Sequence, residues 1–132
     1  MSRELSVLLV EDDLPMQLGC QQALQLAGLK VSAVSSVEAA LPRLAPGFAG
    51  VVVTDMRLPG ADGLSLVRRC AEFDPDLPVI MITGHGDVSL AVEALRSGAY
   101  DFIPKPFSPE ALLEVVRRAL DKRALTLEVI AL

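Results

Sequence analysis

The stretch VVVTDMRLPGADG, residues 51–63, begins with three β-branched valines and then reaches an acid, Asp55. An apolar run without polar alternation is typical of a strand that is buried on both faces of a parallel sheet. The turn residues Pro59, Gly60 and Gly63 follow at once, so the strand must end close to Asp55. Taken alone, Asp55 is explained as well by a helix cap or a solvated strand end as by a functional role.

The composition predicts one compact domain with neither nucleic acid nor a membrane as a direct partner. The chain has 132 residues, 52% of them hydrophobic, and no Trp, so aliphatic side chains must form the core. A net charge of −5 disfavours polyanions and fits an acidic pocket for a cation. Cys20 and Cys70 fall on apolar faces of predicted helices, which fits reduced core residues better than a disulfide or a metal site.

Neither a signal peptide nor a membrane-spanning segment is predicted. Residues 1–5 include Arg3 and Glu4, and no long apolar run follows them. A membrane-spanning helix requires roughly 20 apolar residues, and nothing in the sequence approaches that length. We therefore expect a cytoplasmic protein.

Strand-like and helix-like segments alternate along the chain. Five strands are predicted, at residues 5–10, 30–35, 51–54, 77–82 and 101–103. The first, third and fourth are apolar throughout and should be central, whereas the second and fifth fit the edges. Because connections of this kind are right-handed, helices should cover both faces. The sequence thus predicts the α/β class: a doubly wound, flavodoxin-like (βα)₅ fold with five parallel strands in the order 2-1-3-4-5.

Local signals predict where the helices begin. Four residues are expected to cap helices: Asp13, Asp62, Asp87 and Ser108. Ser35, followed three residues later by Glu38, matches a capping box for the second helix. Pro42 should kink or shorten that helix, because proline lacks the N–H that a helix interior needs.

Five polar side chains follow strands at the same edge of the predicted sheet: Glu11, Asp12, Asp55, Thr83 and Lys105. Ligands of doubly wound sheets bind at this carboxyl edge, beside the point where the strand order reverses. Three neighbouring carboxylates repel one another unless a cation joins them, and Mg²⁺ prefers such oxygen ligands. An aspartate with a metal ion can attack phosphorus, while a hydroxyl and an ammonium stabilise the phosphoryl oxygens. The set therefore predicts a site that accepts a phosphoryl group.

Four spaced motifs resemble one family. LLVEDD, TDMRLPGADG, MITGHGD and DFIPKPF, in this order, are similar to response-regulator receiver domains of two-component signalling over roughly residues 5–120. The resemblance implies that Asp55 accepts a phosphoryl group from a histidine kinase. It also implies a Mg²⁺ (or Mn²⁺) site formed by Glu11, Asp12, Asp55 and the backbone carbonyl of Arg57.

The resemblance further implies how the phosphoryl group is sensed. Thr83 corresponds to the switch hydroxyl, and Phe102 to the switch aromatic, with a role as a mere core residue as the lesser alternative for Phe102. Lys105 corresponds to the family's lysine and should precede a cis bond to Pro106. His85 either touches the phosphoryl group or faces solvent.

The subfamily signal comes from ELSVLLVEDD, DPDLPVIMITGHGDV and GAYDFIPKPF, which resemble NtrC-type, DctD-like σ54-dependent transcriptional regulators. FixJ-like regulators share part of this pattern, and a stand-alone receiver is a further alternative. We expect a receiver domain over residues 1–122, with 123–132 as a helical extension or the start of a linker to an output domain. The apolar tail from Leu125 to Leu132 suggests a homodimer that depends on phosphorylation.

Two other classes compete with this interpretation. A small Mg²⁺-dependent phosphatase would need a second acid two residues after the nucleophile, where this chain has Arg57. A flavodoxin-like electron carrier would need a phosphate-binding loop after the first strand, where EDDLP would repel phosphate. We therefore expect a signalling phosphoacceptor rather than an enzyme.

Overall fold

The computed structural model describes residues 4–131 and contains one five-stranded parallel sheet. The strand order is β2-β1-β3-β4-β5, as predicted. The strands are β1 (Ser6–Val10), β2 (Lys30–Val34), β3 (Gly50–Asp55), β4 (Val79–Thr83) and β5 (Asp101–Pro104). The reversal of strand order lies between β1 and β3, which pair in parallel from Ser6 opposite Gly50 to Val10 opposite Thr54.

Helices cover both faces of the sheet. They are α1 (Leu14–Leu26), α2 (Val37–Ala40), α3 (Gly63–Phe73), α4 (Val88–Arg96) and α5 (Pro109–Ala131). The predicted effect of Pro42 is confirmed, since α2 ends at Ala40 and continues as a short 3₁₀ turn over Leu41–Arg43. Among residues 4–131, no helix is long and apolar enough to cross a membrane.

The core has two halves, one on each face of the sheet. Every residue of β3 and β4 is buried, which confirms that the two apolar runs form central strands. Alternate side chains enter opposite halves: Val52 packs toward α3, whereas Val51 and Val53 pack toward α1 and α5. Cys20 and Cys70 are buried free thiols in separate halves, and burial raises their pKa values to about 11 and about 12, respectively.

Most of the predicted helix caps are present. Asp13, Asp62 and Ser108 each accept a hydrogen bond from the backbone N–H three residues further on, at 3.1, 2.9 and 3.1 Å. The capping box at Ser35 is wrong by one residue. Ser36 is the extended residue before α2, and its hydroxyl accepts from the N–H of Ala39 at 3.1 Å.

Helix α5 extends well past the predicted receiver boundary and is tied to the domain by a buried arginine. The Arg123 side chain is fully buried, and its guanidinium donates to Asp74 Oδ2 at 2.6 Å and to the Phe48 carbonyl at 3.0 and 3.1 Å. Asp74 also accepts from the N–H of Gly47 at 2.9 Å. These partners precede β3 and β4, so this Arg123–Asp74 cluster lies at the amino edge of the sheet.

The predicted apolar tail is mixed in its exposure. Leu125 and Val129 are exposed, whereas Leu127 is buried. Leu132 lies outside the described residues. The division of the chain at residue 122 stays a prediction.

Candidate functional site

The structure brings the predicted acids together at the carboxyl edge of the sheet. Asp55 is the last residue of β3, and Glu11 and Asp12 directly follow β1, its neighbour. One carboxylate oxygen from each of the three lies within 4.8 Å of the others. Glu11 and Asp55 are buried and Asp12 is exposed, so the cluster opens to solvent on one side.

Lys105 is the cation that faces these acids. Its ammonium nitrogen lies 3.1 Å from Asp55 Oδ2 and 4.0 Å from Glu11 Oε1. Partial burial disfavours the charged ammonium, but its hydrogen bond with Asp55 and the charges of both acids raise the Lys105 pKa overall. Lys105 therefore stays charged and neutralises only part of the acidic cluster.

Glu11 is the member of the cluster whose carboxylate Lys105 does not satisfy. Its side chain is fully buried, and within the described chain neither of its carboxylate oxygens has a hydrogen-bond partner. Burial, together with the neighbouring Asp55 carboxylate, raises the pKa of Glu11 to about 7. A buried acid without donors is costly, and a divalent cation with oxygen ligands relieves that cost. The residues present therefore fit the Mg²⁺ expected from the sequence.

The backbone around Asp55 is set by close packing of the loop that follows. The N–H of Gly63 donates to the Met56 carbonyl at 3.0 Å, and the N–H of Met56 donates to Ile82 in β4 at 2.9 Å. A Cβ built at Gly63 would collide with the Asp55 carbonyl oxygen, so only glycine fits there. From the far side, Glu38 accepts a hydrogen bond from the N–H of Ala61 at 3.1 Å. The predicted capping glutamate thus holds this loop in addition to interacting with its own N–H and the Ser36 hydroxyl at the start of α2.

Thr83 and Phe102 lie on the two strands beyond Asp55. Thr83 ends β4 and is buried, and its carbonyl accepts from the N–H of Lys105 at 2.8 Å. The expected cis bond between Lys105 and Pro106 is present. Phe102 is half-buried and packs against the core half on the α3 side. Its place fits either reading, core residue or switch aromatic.

An ion pair beside the site was not predicted from the sequence. The Arg57 guanidinium donates to Asp87 Oδ1 at 2.6 Å and to Oδ2 at 3.4 Å. Asp87 Oδ2 also accepts from the N–H of Gly84 at 3.2 Å. The Arg57 hydrogen bonds hold the pKa of Asp87 below its ordinary value. Only the backbone carbonyl of Arg57 was expected to take part in the site, and the backbone N–H of Arg57 lies 3.4 Å from Asp55 Oδ1.

Asp87 was predicted to cap α4, and this prediction is wrong. It occupies the capping position, but its side chain makes no hydrogen bond to the helix. The reason is that both carboxylate oxygens are engaged by Arg57 and Gly84. No local signal in the sequence indicates a partner 30 residues away. His85, in the same loop, is exposed.

A family model described as the response regulator receiver domain matches residues 7–117. The chain belongs to this family. The receiver has the strand order, the acidic cluster and the opposed lysine that were predicted from the sequence.

Relatives and solved structures agree with that assignment. The C4-dicarboxylate transport regulator DctD of Rhizobium meliloti (strain 1021) is 49% identical over 128 residues, covering 97% of this chain and 28% of that protein. The transcriptional regulatory protein FixJ of the same organism is 40% identical over 114 residues, covering 86% of this chain and 56% of that protein. The solved receiver domain of NtrX from Brucella abortus has a TM-score of 0.79 at 36% identity, covering 88% of this chain and 98% of that one. The chain thus spans only part of each curated relative.

Proposed function

We propose that the receiver accepts a phosphoryl group on Asp55. The observation that carries this proposal is the contact of 3.1 Å between Asp55 and Lys105, beside two further acids that are close enough to share a cation. This edge therefore offers a nucleophilic oxygen, a positive charge for a phosphoryl oxygen and ligands for a metal ion. These are the elements that phosphoryl transfer to a carboxylate requires.

In the proposed step, a carboxylate oxygen of Asp55 attacks phosphorus and forms a new P–O bond. The bond from phosphorus to the donor breaks, and the donor keeps the electron pair, on the imidazole nitrogen of a phosphohistidine or the acetate oxygen of acetyl phosphate. Lys105 pairs with one phosphoryl oxygen, and the Thr83 hydroxyl donates to another. Glu11, Asp12, Asp55 and the Arg57 carbonyl would hold Mg²⁺ or Mn²⁺, which would supply positive charge for the phosphoryl oxygens.

We further propose that Thr83 and Phe102 read the modified state. A phosphoryl oxygen would draw the Thr83 hydroxyl inward, and the Phe102 ring would occupy the space that is vacated. The altered surface is that of α4, β5 and α5, where we expect a homodimer. Sedimentation with and without beryllofluoride tests this: association should change in the wild type and not in Thr83→Ala. An unchanged wild type would contradict the dimer.

The proposed donor is a sensor histidine kinase, and the proposed setting is the cytoplasm. The higher identity to DctD than to FixJ favours a DctD-like, σ54-dependent transcriptional output domain in the full-length protein. A FixJ-like output and a stand-alone receiver are the alternatives. In each case the receiver acts on its own phosphoryl group rather than on an external substrate, so we propose no enzymatic turnover.

The test is phosphorylation of the intact protein by acetyl phosphate with Mg²⁺, followed by mass spectrometry. The wild type should gain the mass of one phosphoryl group, and Asp55→Asn should gain none, because an amide is a poor nucleophile. Asp121→Asn is the matched control, since Asp121 is an exposed acid on α5. Labelling of Asp55→Asn at the wild-type level would contradict the assignment of the acceptor.

A further inference from the structure

The ion pair of Arg57 and Asp87, termed here the Arg57–Asp87 pair, is asymmetric in its exposure. The Arg57 side chain is 75% exposed, whereas that of Asp87 is 3% exposed. Little of the cost of breaking the pair falls on Arg57, since a surface guanidinium is readily hydrated. A buried aspartate cannot lose its cation without a replacement, because an unpaired buried charge is strongly destabilising. The pair therefore has one mobile member and one that depends on it.

Asp87 also differs from the other capping residues. Asp13, Ser36 and Asp62 are in extended backbone conformation and bond to the first turn of their helices. Asp87 has φ −95° and ψ 23° and makes no such bond. Asp87 occupies the capping position of α4, but the N–H groups of the first turn have no bond to its side chain. Aspartate is among the best helix caps, so the capping bond is a ready alternative for this carboxylate.

We infer that a phosphoryl group on Asp55 breaks the Arg57–Asp87 pair and thereby frees Asp87 to cap α4. This inference rests on the proposed function. Arg57 lies two residues after Asp55, with its N–H 3.4 Å from Asp55 Oδ1, so a phosphoryl group there lies close to the root of the Arg57 side chain. Such a group carries about two negative charges, against one on Asp87, and presents oxygens suited to bidentate pairing. The Arg57 guanidinium leaves the Asp87 carboxylate and pairs with the phosphoryl oxygens.

The exchange has a consequence at α4. Once Arg57 leaves, the buried Asp87 carboxylate keeps, among donors in residues 4–131, only the N–H of Gly84. It regains donors by turning to the first-turn N–H groups of α4, at Ser89 and Leu90, and its backbone moves toward the extended conformation. The charge added at the end of β3 thus reaches the start of α4 by a change of hydrogen-bond partners, independently of Thr83 and Phe102.

The test is amide hydrogen exchange of Ser89 and Leu90, followed by NMR, together with the Arg57 Nε–H signal. In the wild type with Mg²⁺, beryllofluoride should shift the Arg57 signal and slow exchange of the two amides at least about fivefold, the lower end of usual coupling between sites. Asp87→Asn weakens the pair but retains a capping side chain, so it should slow both amides without beryllofluoride. Arg57→Gln should do the same by freeing the carboxylate.

Glu93→Gln is the matched control, because Glu93 pairs with Arg68 at 2.6 Å and also joins α4 to the chain that follows β3. It should leave both amides unchanged. If the amides of Ser89 and Leu90 exchange at the wild-type rate in both Asp87→Asn and Arg57→Gln, the coupling between the Arg57–Asp87 pair and the cap of α4 is overturned. If fluorine NMR shows that beryllofluoride is bound but the Arg57 signal is unchanged, only the transfer of the guanidinium to the phosphoryl oxygens is overturned. Failure of beryllofluoride to bind would contradict the proposed function as well.

Discussion

At the amino edge of the sheet, Arg123 and Asp74 are buried together, and their charges balance. Within residues 4–131, the Arg123 guanidinium donates its hydrogen bonds to carboxylate and carbonyl oxygens. At the carboxyl edge, three carboxylates share one lysine, and both oxygens of Glu11 lack hydrogen-bond partners within the described chain. The comparison teaches that burial of charge serves two purposes in one domain. The balanced cluster holds segments together, whereas the unbalanced cluster carries excess negative charge that a bound cation would neutralise.

The largest expected effect comes from breaking the balanced cluster. Arg123→Met should destabilise the fold by about 3–5 kcal/mol, because it leaves the buried Asp74 without its cation. Urea denaturation at neutral pH measures the loss. Arg118→Met is the control on the same helix: Arg118 is half-exposed and pairs with Asp101 at 3.6 Å, so its loss should cost at most about 1 kcal/mol. Equal losses of stability in the two variants would contradict the role given to the buried Arg123–Asp74 cluster.

The next effect is the response of the unbalanced cluster to metal. Mg²⁺ at a hundredfold excess over its dissociation constant should stabilise the protein by about 2.7 kcal/mol, because it binds only the folded state. Asp12→Ala should abolish this gain in thermal unfolding, whereas Asp121→Asn should keep it. Arg123→Met should also keep it, since its site lies at the other edge of the sheet. Stabilisation of Asp12→Ala at the wild-type level would place the metal elsewhere.

Removal of one acid sharpens the comparison further. Without metal, Glu11→Gln should stabilise the protein by about 1–2 kcal/mol, because it removes a buried carboxylate that lacks hydrogen-bond partners and repels Asp55. The same change should weaken the response to Mg²⁺. Urea denaturation in the presence of a chelator gives the first quantity. A destabilised Glu11→Gln would mean that the carboxylate is better satisfied than its contacts indicate.

The smallest effect is a dependence on pH at the amino edge. Burial opposes the charge of Asp74, but the Arg123 and Gly47 hydrogen bonds outweigh it and hold the Asp74 pKa below its ordinary value of 3.8. A carboxyl group with a lowered pKa contributes stability above the unfolded pKa and loses it as pH falls through the folded pKa. The difference in the free energy of unfolding between the wild type and Arg123→Met should therefore become smaller below pH 3.8. A constant difference down to acid unfolding would contradict this sign.

Features governed by local pattern were predictable. The valine run of β3 and the residues from Val79 in β4 are apolar on both faces because helices cover both, and their burial follows directly. Pro42 shortens α2 through its missing N–H, which needs no knowledge of the fold. The acidic cluster was predictable because strand ends in a parallel sheet share an edge.

Features that depend on distant partners were not predictable. Asp87 and Glu38 were each assigned to their own helix, yet Asp87 bonds to Arg57 and Glu38 to Ala61. Each carboxylate can accept from donors in its own helix or from donors across the fold, and the sequence shows only the local ones. Arg123 was overlooked for the same reason: its partner Asp74 lies 49 residues away.

The anchoring of α5 by Arg123 also fixes an angle. An α-helix turns about 100° per residue, so a side chain held at one point sets the azimuth of every residue beyond it. In a longer protein, the buried Arg123 would set both the direction of any segment that continues α5 and the rotation of that segment about the helix axis. Insertion of one residue after Arg123 would swing that segment about a quarter-turn round the axis, whereas seven residues would bring it back to within about 20°.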